Sequence, residues 1–584
     1  MKQMRRRIAI LRLVAALIVA VLVYNLFQIQ VIEGEEWADI ADNNRFRHLV
    51  NTAPRGRIFA ADGTELAGSI PGYEVALAFE PDSLKREQAI EKLSQLLAMD
   101  SEDIEARLKR QSRRFVPAPI ASNVDFETVL MLEEHRRLIP GLVIQIIPQR
   151  IYPQNTLLAH TLGHLKEGIT GASGLELQWD EYLQGENGFS VIQVNAHGSP
   201  VGLPANSQPA IPGNDLHLTI DVGLQQTVQE SLGRVLAKLR DRHNMENAWT
   251  GAVAVVDPNS GKILAMVSEP SFDNNAKYRY EWPEELPMRD SVRTYRDRVV
   301  NWRKPVGSTF KMLTGLAALE TGNVTVTERI RDTGVTRISN QPVRNYGGAA
   351  YGNIAMTRAL EVSSNIYFAT LGSRLGHELI YQYIDRFGMT GAAMGENPSY
   401  ASKNAGFTDI HQSEQYHSLD YYQEMLRQGR PFFTGHTVQM SYGQMNEFTV
   451  LQMANYVSML ANGGTHYKPY LVERITDAQG EVVESFAPQV LAEQNFDNSA
   501  LSAIRQGMQL AASGSQFRGL PFKVAGKTGT AEEWGKDNHA WWVGYAPYDN
   551  PEIAIVVFLE HGGLGLRGAE VARDIIDYYF ELTD

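Results

Sequence analysis

The basic residues Lys2, Arg5, Arg6, Arg7 and Arg12 stand directly before a largely apolar stretch from Leu13 to Val31, whose polar members Asn25, Gln28 and Gln30 gather at its far end. Nineteen residues at about 1.5 Å rise each reach roughly 28 Å as a helix, close to the hydrocarbon thickness of a bilayer. Basic residues ahead of the span and Glu33, Glu35 and Glu36 behind it place the amino terminus in the cytoplasm and the rest of the chain outside. A cleaved export signal is the alternative. The length of the run, with no small-x-small pattern close behind it, favours a retained single-pass anchor over residues 8–31 after a cytoplasmic tail of residues 1–7. Outside the cytoplasm nucleotides are scarce, so any reaction there must run on energy already stored in its substrate.

The chain has 584 residues, 43% of them hydrophobic and 21% charged, which suffices for at least two ordered domains. A formal net charge of −13 argues against a nucleic-acid partner, which calls for a basic surface. The absence of cysteine removes disulfides, thiolate nucleophiles and cysteine-held zinc, and suits an oxidising compartment.

After the anchor, Pro54-Arg55-Gly56-Arg57-Ile58 opens a mixed region with short strands such as Tyr73 to Phe79. Ile90, Leu93 and Leu97 fall on one face of a helix. The run Arg107, Lys109, Arg110, Arg113 and Arg114 reads as a solvated helix face. His160 and His164 are four apart, but no glutamate lies between them and no third ligand is in view, so a structural role is expected and no metal. The Gly-, Pro- and Asn-rich stretch from Gly198 to Asn214 reads as a linker or loop ahead of a helix that begins near Asp221. Gly251 to Val256 and Lys262 to Val267 read as a hairpin around Asp257-Pro258-Asn259-Ser260-Gly261. Ala540 to Tyr545 and Ile553 to Leu559 form a second pair, and a helix from Ala569 to Leu582 follows. Strand pairs around mostly helical material predict an α+β fold, an antiparallel sheet flanked by helices. Gly395 to Gly435 is polar and rich in Tyr and Gln, a long loop or small insertion.

The chemistry concentrates in three places. In Pro305-Val306-Gly307-Ser308-Thr309-Phe310-Lys311, Ser308 is the only serine with a lysine three positions later. That spacing puts hydroxyl and amine on one helical face. A lysine near its ordinary pKa is charged at pH 7, and serving as base requires a fall of about three units through burial or a neighbouring cation. Lys527-Thr528-Gly529-Thr530, after strand-like Phe522 to Gly526, offers that cation. Gly529 would let a substrate backbone lie against the strand, and the Thr528 and Thr530 hydroxyls would receive a carboxylate held by Lys527. In Ser363-Ser364-Asn365, at the end of the helical pattern Ala355 to Val362, a serine can relay a proton and the asparagine amide can orient a peptide bond. Each piece alone is weak, and Ser402-Lys403-Asn404 offers a decoy for the third. The ordered set within one exported domain is not.

This set resembles the penicillin-binding protein and serine β-lactamase superfamily. Arg55-Gly56-Arg57-Ile58, Arg150-Ile151-Tyr152-Pro153, Gly171-Ala172-Ser173-Gly174-Leu175-Glu176, Leu218-Thr219-Ile220-Asp221 and Ala461-Asn462-Gly463-Gly464 are similar to segments of class B penicillin-binding proteins. The chain departs from that pattern at Ala60-Ala61-Asp62-Gly63, Val306 and Val450. The resemblance implies a non-catalytic pedestal, of the dimerisation type, over residues 32–245 and a transpeptidase domain over 246–584. It also implies stem-peptide substrates, acylation by β-lactams, no cofactor, and a multipass SEDS-type glycosyltransferase as membrane partner. Ser308 would attack the penultimate D-alanine carbonyl with Lys311 as base and the N–H groups of Ser308 and Thr530 as oxyanion hole. Ser363 would pass the proton onward, Asn365 would align the donor peptide and Lys527 its carboxylate. A β-lactamase or carboxypeptidase, and a non-catalytic sensor or scaffold, are the rival expectations.

Overall fold

The computed structural model describes residues 2–32, 46–78, 82–110, 117–166, 170–193, 206–275, 294–389, 429, 431–445 and 447–582. Glu33, Glu35, Glu36, Phe79, Arg113, Arg114, residues 198–205, the Ser402-Lys403-Asn404 decoy and most of the Gly395 to Gly435 segment lie outside the described residues. The apolar amino terminus is a helix, α1 (Lys2–Phe27), continued by a wider turn, Gln28–Ile32. None of its apolar window is buried, and it is long and apolar enough to cross a membrane. Gln28, one of its few polar residues, donates to the Tyr24 hydroxyl at 3.0 Å within the helix.

Contacts divide the chain into two compact units that follow packing rather than chain order. One takes Met1–Arg55, Ser69–Gln149 and Gly185–Gly213, the other Gly56–Gly68, Arg150–Gln184 and Asn214–Asp584. In the first unit, Val75, Leu77, Ala118 and Ile120 pack from paired strands against Ile90 and Leu93 of the helix Ser83–Leu97. The expected shared face is there, with Leu97 at its margin. Arg107, Lys109 and Arg110 are exposed, as a solvated face requires. In the same unit, residues 206–208 form a strand paired with Gly188–Gln193, where a loop was expected.

The second unit is built on a five-stranded antiparallel sheet. Its elements, in chain order, are α2 (Val222–His243), β1 (Gly251–Val256), β2 (Ile263–Glu269), α3 (Lys311–Glu320), α4 (Met356–Glu361), α5 (Asn365–Arg386), α6 (Val450–Asn462), α7 (Asn498–Ala512), β3 (Ala525–Ala531), β4 (His539–Ala546), β5 (Ile553–Leu559) and α8 (Gly568–Tyr579). The sheet order is β2-β1-β5-β4-β3. Both faces are covered by helices, which explains why whole strands rather than alternate positions are apolar. Val253, Val255, Trp542, Ile555 and Val557 turn towards α2 and α8, while Ala254, Trp541, Val543, Val556 and Phe558 turn towards α3 and α6. Both expected strand pairs are present within a few residues of their expected limits.

Two expectations shift in ways that matter for the site. The strand near residue 525 begins at Ala525 and carries Lys527 to Thr530 inside it, in register with Val543 to Ala540 of β4. Ser363 and Ser364 sit between two helices and Asn365 opens the second, α5, which Ser364 caps by accepting from Tyr367 N–H.

Segments far apart in sequence meet in the second unit. The Arg150 guanidinium, buried with Glu176, donates to its Oε1 at 2.7 Å and to Gly56 O at 2.6 Å, and the Tyr152 hydroxyl reaches the same carboxylate at 3.2 Å. Arg57 pairs with Asp215 at 2.6 Å. Asn462 binds the carbonyls of Pro258 and Thr465 as α6 ends at Gly463, φ +95°.

Candidate active site

The turn that carries Ser308 is shaped by close backbone approach. Lys304–Pro305 pairs with Glu447–Phe448, and the chain then turns through Gly307, φ +55°, whose N–H donates to Gly443 O at 2.9 Å. A β-carbon on Gly307 would stand 2.6 Å from Thr530 O, so glycine lets the turn lie on the backbone of β3. One 3₁₀ turn, Gly307–Phe310, leads into α3. Val306, Gly307, Thr309 and Phe310 are buried, and Ser308 alone among them is partly exposed. Lys311 follows one turn later, its backbone N–H on Ser308 O.

The Lys311 amine is fully buried and donates to Asn365 Oδ1 at 2.6 Å, Ser363 O at 2.8 Å and Ser363 Oγ at 3.3 Å. Lys527, also buried, reaches Ser363 Oγ at 2.9 Å and Thr528 O at 3.0 Å. One hydroxyl therefore sits between two amines from different elements. Burial pushes Lys311 well below its ordinary pKa, the Lys527 charge pushes it further, and Asp332 opposes both. Burial brings Lys527 down to about 7. An uncharged amine beside a serine hydroxyl is what general-base activation asks for.

The three expected binding residues on β3 stand differently. Thr528 is partly exposed beside Lys527. Thr530 Oγ1 accepts from Gly565 N–H at 3.3 Å. Gly529 has a reason other than the expected room for substrate, since a β-carbon there would lie 2.5 Å from Val306 O and 2.9 Å from Thr309 Cγ2. Its smallness lets β3 dock on the turn that carries Ser308. β3 ends the sheet, and its outer edge is met by Gln444, which donates to Thr530 O at 3.2 Å and accepts from Glu532 N–H at 3.1 Å.

Among the described residues, Glu533, His539 and His561 bring potential metal-binding atoms within 4.8 Å of one another. The two histidines are tied to the backbone. His539 Nδ1 accepts from the His561 backbone N–H at 3.2 Å, so the neutral ring carries its proton on Nε2, which faces Glu533 Oε2 at 2.7 Å. His561 Nδ1 lies 3.0 Å from Asp537 O, which only accepts. Lys304 joins the cluster 3.5 Å from Glu533 and 3.1 Å from Glu560. His160 is likewise structural, its Nε2 2.6 Å from Thr294 O, and His164 pairs with the Ser173 hydroxyl at 2.8 Å.

Comparison with known proteins bears on this arrangement. The profile of the penicillin-binding protein transpeptidase domain matches residues 251–577, more than half the chain, and that of the penicillin-binding protein dimerisation domain matches residues 50–218. The chain is a class B penicillin-binding protein. This penicillin-binding protein is 26% identical to the peptidoglycan D,D-transpeptidase MrdA of Haemophilus influenzae, over 98% of its own length and 91% of the relative's. It is 24% identical to MrdA of Escherichia coli, over 98% and 94%. PBP2 of Helicobacter pylori, solved in complex with MreC, superposes with a TM-score of 0.74 at 19% identity, covering 92% of this chain and 99% of that one. A chain of a peptidoglycan synthase complex that coordinates polymerization and crosslinking gives 0.65 at 25% identity, over 99% of both.

Several residues of this penicillin-binding protein carry no local signal in sequence. Asp332, Asn345 and Gln444 reach the site only through tertiary structure. An isolated Asp or Asn in a Gly-rich stretch reads as a turn residue, and only its burial and partners reveal another task.

Proposed function

We propose that the chain crosslinks peptidoglycan as a serine D,D-transpeptidase, with Ser308 as nucleophile. The observation that carries this reading is the Ser363 hydroxyl held between the buried amines of Lys527 and of Lys311, which follows Ser308 by one helical turn. Ser308 Oγ attacks the carbonyl of the penultimate D-alanine of a stem peptide, and its proton passes to Lys311. Negative charge on the tetrahedral oxygen meets the N–H groups of Ser308 and Thr530, each worth about a hundredfold to a thousandfold in rate. Collapse breaks the peptide bond, and the proton travels from Lys311 through Ser363 to the nitrogen of the departing D-alanine. The acyl-enzyme then passes its acyl group to an amine of a neighbouring peptide, which gives up a proton by the same route in reverse. One amide is broken and one formed, so no nucleotide is consumed.

In this reading Asn365 aligns the donor peptide, while Lys527 and Thr528 hold its terminal carboxylate. A β-lactam, whose strained amide carries a nearby carboxylate, enters the same cleft and acylates Ser308. The apolar helix α1 anchors the chain with its amino terminus in the cytoplasm and the catalytic unit outside. A SEDS-type glycosyltransferase in the same membrane supplies the strands to be crosslinked, in keeping with the synthase complex among the structural relatives.

Fluorescent penicillin tests the assignment: the wild-type chain should take a covalent label, and folded Ser308→Ala should take none. Label on the folded variant would remove Ser308 from the mechanism. The lifetime of the adduct separates a transpeptidase, which holds it for minutes or longer, from a lactamase, which sheds it quickly.

A further inference from the structure

A single buried carboxylate lies behind the turn that carries Ser363. Asp332 ends the strand Ile330–Asp332 and is 2% exposed. It accepts from Gly334 N–H at 2.8 Å, from the Asn345 amide at 2.8 Å to each oxygen, and from the Ser364 hydroxyl at 2.5 Å. Asn345, equally buried, turns its own carbonyl oxygen to Asn365 N–H at 2.8 Å and Ile366 N–H at 3.3 Å. Ser364 Oγ accepts from Tyr367 N–H at 3.0 Å. The first three N–H groups of α5, which no intrahelical partner can satisfy, are thus met by two side chains that both hang on Asp332. Between α4 and α5, Ser363 is held at φ +56°, a conformation side chains avoid unless their surroundings impose it.

This arrangement leads straight to the reacting groups. The closest acceptors of Lys311 are Asn365 Oδ1 and Ser363 O, the residues on either side of Ser364. We propose that Asp332, acting through Asn345 and Ser364, is a positioning residue of the acyl-transfer machinery, fixing the left-handed turn that presents Ser363 and Asn365 to Lys311. The inference rests on the transpeptidase reading and adds to it a residue outside the three motifs. A carboxylate suits the place because every neighbour of Asp332 within hydrogen-bond distance is a donor. An amide there would turn an NH₂ group towards one of them. The same negative charge opposes the burial and the Lys527 charge that lower the Lys311 pKa, and these are the charged groups acting on that amine.

The test compares wild type, Asp332→Asn and the exchanged pair Asp332→Asn/Asn345→Asp in the full-length chain. Readouts are the second-order rate of acylation by fluorescent penicillin from pH 5 to 10 and thermal melting. A misplaced relay should cost Asp332→Asn about tenfold or more in rate while the protein stays folded. With the carboxylate gone, Lys311 should ionise less readily, so the acid limb of the profile should move to lower pH. The exchanged pair keeps a donor–acceptor contact between positions 332 and 345 and places a negative charge at the amino end of α5, which favours it, but it turns a carboxylate oxygen towards Ala349 O, which the Asn345 amide meets at 2.8 Å, so it should recover only part of the lost rate. Asp332→Asn at the wild-type rate with an unmoved profile overturns the proposal alone. So does a loss of rate that merely tracks loss of folded protein. A wild-type chain that takes no label overturns this proposal together with the reading it rests on.

Discussion

Ser363 bears a β-carbon in the left-handed region, a conformation that costs roughly 1 kcal/mol or more, and its hydroxyl is shared between two buried amines. The electrostatics of that pair give a signed expectation. Burial lowers the Lys311 pKa and the nearby Lys527 charge lowers it further. Removing that charge in Lys527→Ala should therefore raise the Lys311 pKa. In the proposed mechanism the neutral amine is the base, so the rate falls as pH drops through this pKa, and a higher pKa moves the fall to higher pH. The pH profile of penicillin acylation should show an acid limb displaced upward in Lys527→Ala, opposite in direction to Asp332→Asn. A limb that stayed put would mean the two amines do not sense each other. That Lys311, Ser363 and Lys527 belong together was legible in sequence because each sits in a short pattern of fixed spacing, and the structure brings the three together. Asp332 and Asn345 were not, because their part depends on burial and on partners 20 to 32 residues away. Gly529 was legible as a glycine that matters, and the contacts with Val306 O and Thr309 Cγ2 give it a reason that the sequence did not show.

At the level of elements, the hairpin β1–β2 and the pair β4–β5 could be read because burial on both faces makes nearly every position apolar. β3 could not be delimited, since Lys527 to Thr530 carries little strand character of its own and is drafted into the sheet by pairing with β4. The ends of β3, β4 and β5 are held instead by charge. Burial pushes Glu560 up, but Lys304, helped by the Thr250 hydroxyl, outweighs it and holds the carboxyl at about 2. Because this pKa lies below the unfolded value, the stabilisation is present above about pH 4.5 and is lost as pH falls through about 2. Lys304→Met leaves a buried carboxylate without its main partner, a change that costs roughly 3 kcal/mol. Chemical denaturation should show that gap at pH 7, narrowing as the pH is taken down towards 3. A gap of the same size at both ends would show that Lys304 stabilises through packing and not through charge.

On the scale of the whole molecule, the order of the motifs and the apolar amino terminus were plain in the sequence, whereas the discontinuous make-up of the compact units was not. Residues 56–68 and 150–184 join the unit that holds the site. Contacts such as Tyr152 N–H to Asn275 Oδ1 and Arg57–Asp215 bind them there, and no local pattern announces pairings across so many residues. The amino terminus makes a different demand. Leu11, Leu13, Leu17 and Leu22 of α1 are all more than 60% exposed. At about 25 cal/mol per Å² of apolar surface, a helix of this kind in water is strongly disfavoured against one in lipid. The full chain should therefore sediment with membranes, resist extraction by alkaline carbonate and dissolve only in detergent. A chain lacking residues 1–32 should stay in the supernatant and still be acylated by fluorescent penicillin within about twofold of the full chain, because none of the residues that form the site or its core lies in α1. Carbonate release of the full chain would show that α1 lies on the membrane surface or pairs with another protein. Sedimentation of the shortened chain would place a membrane contact elsewhere in the fold.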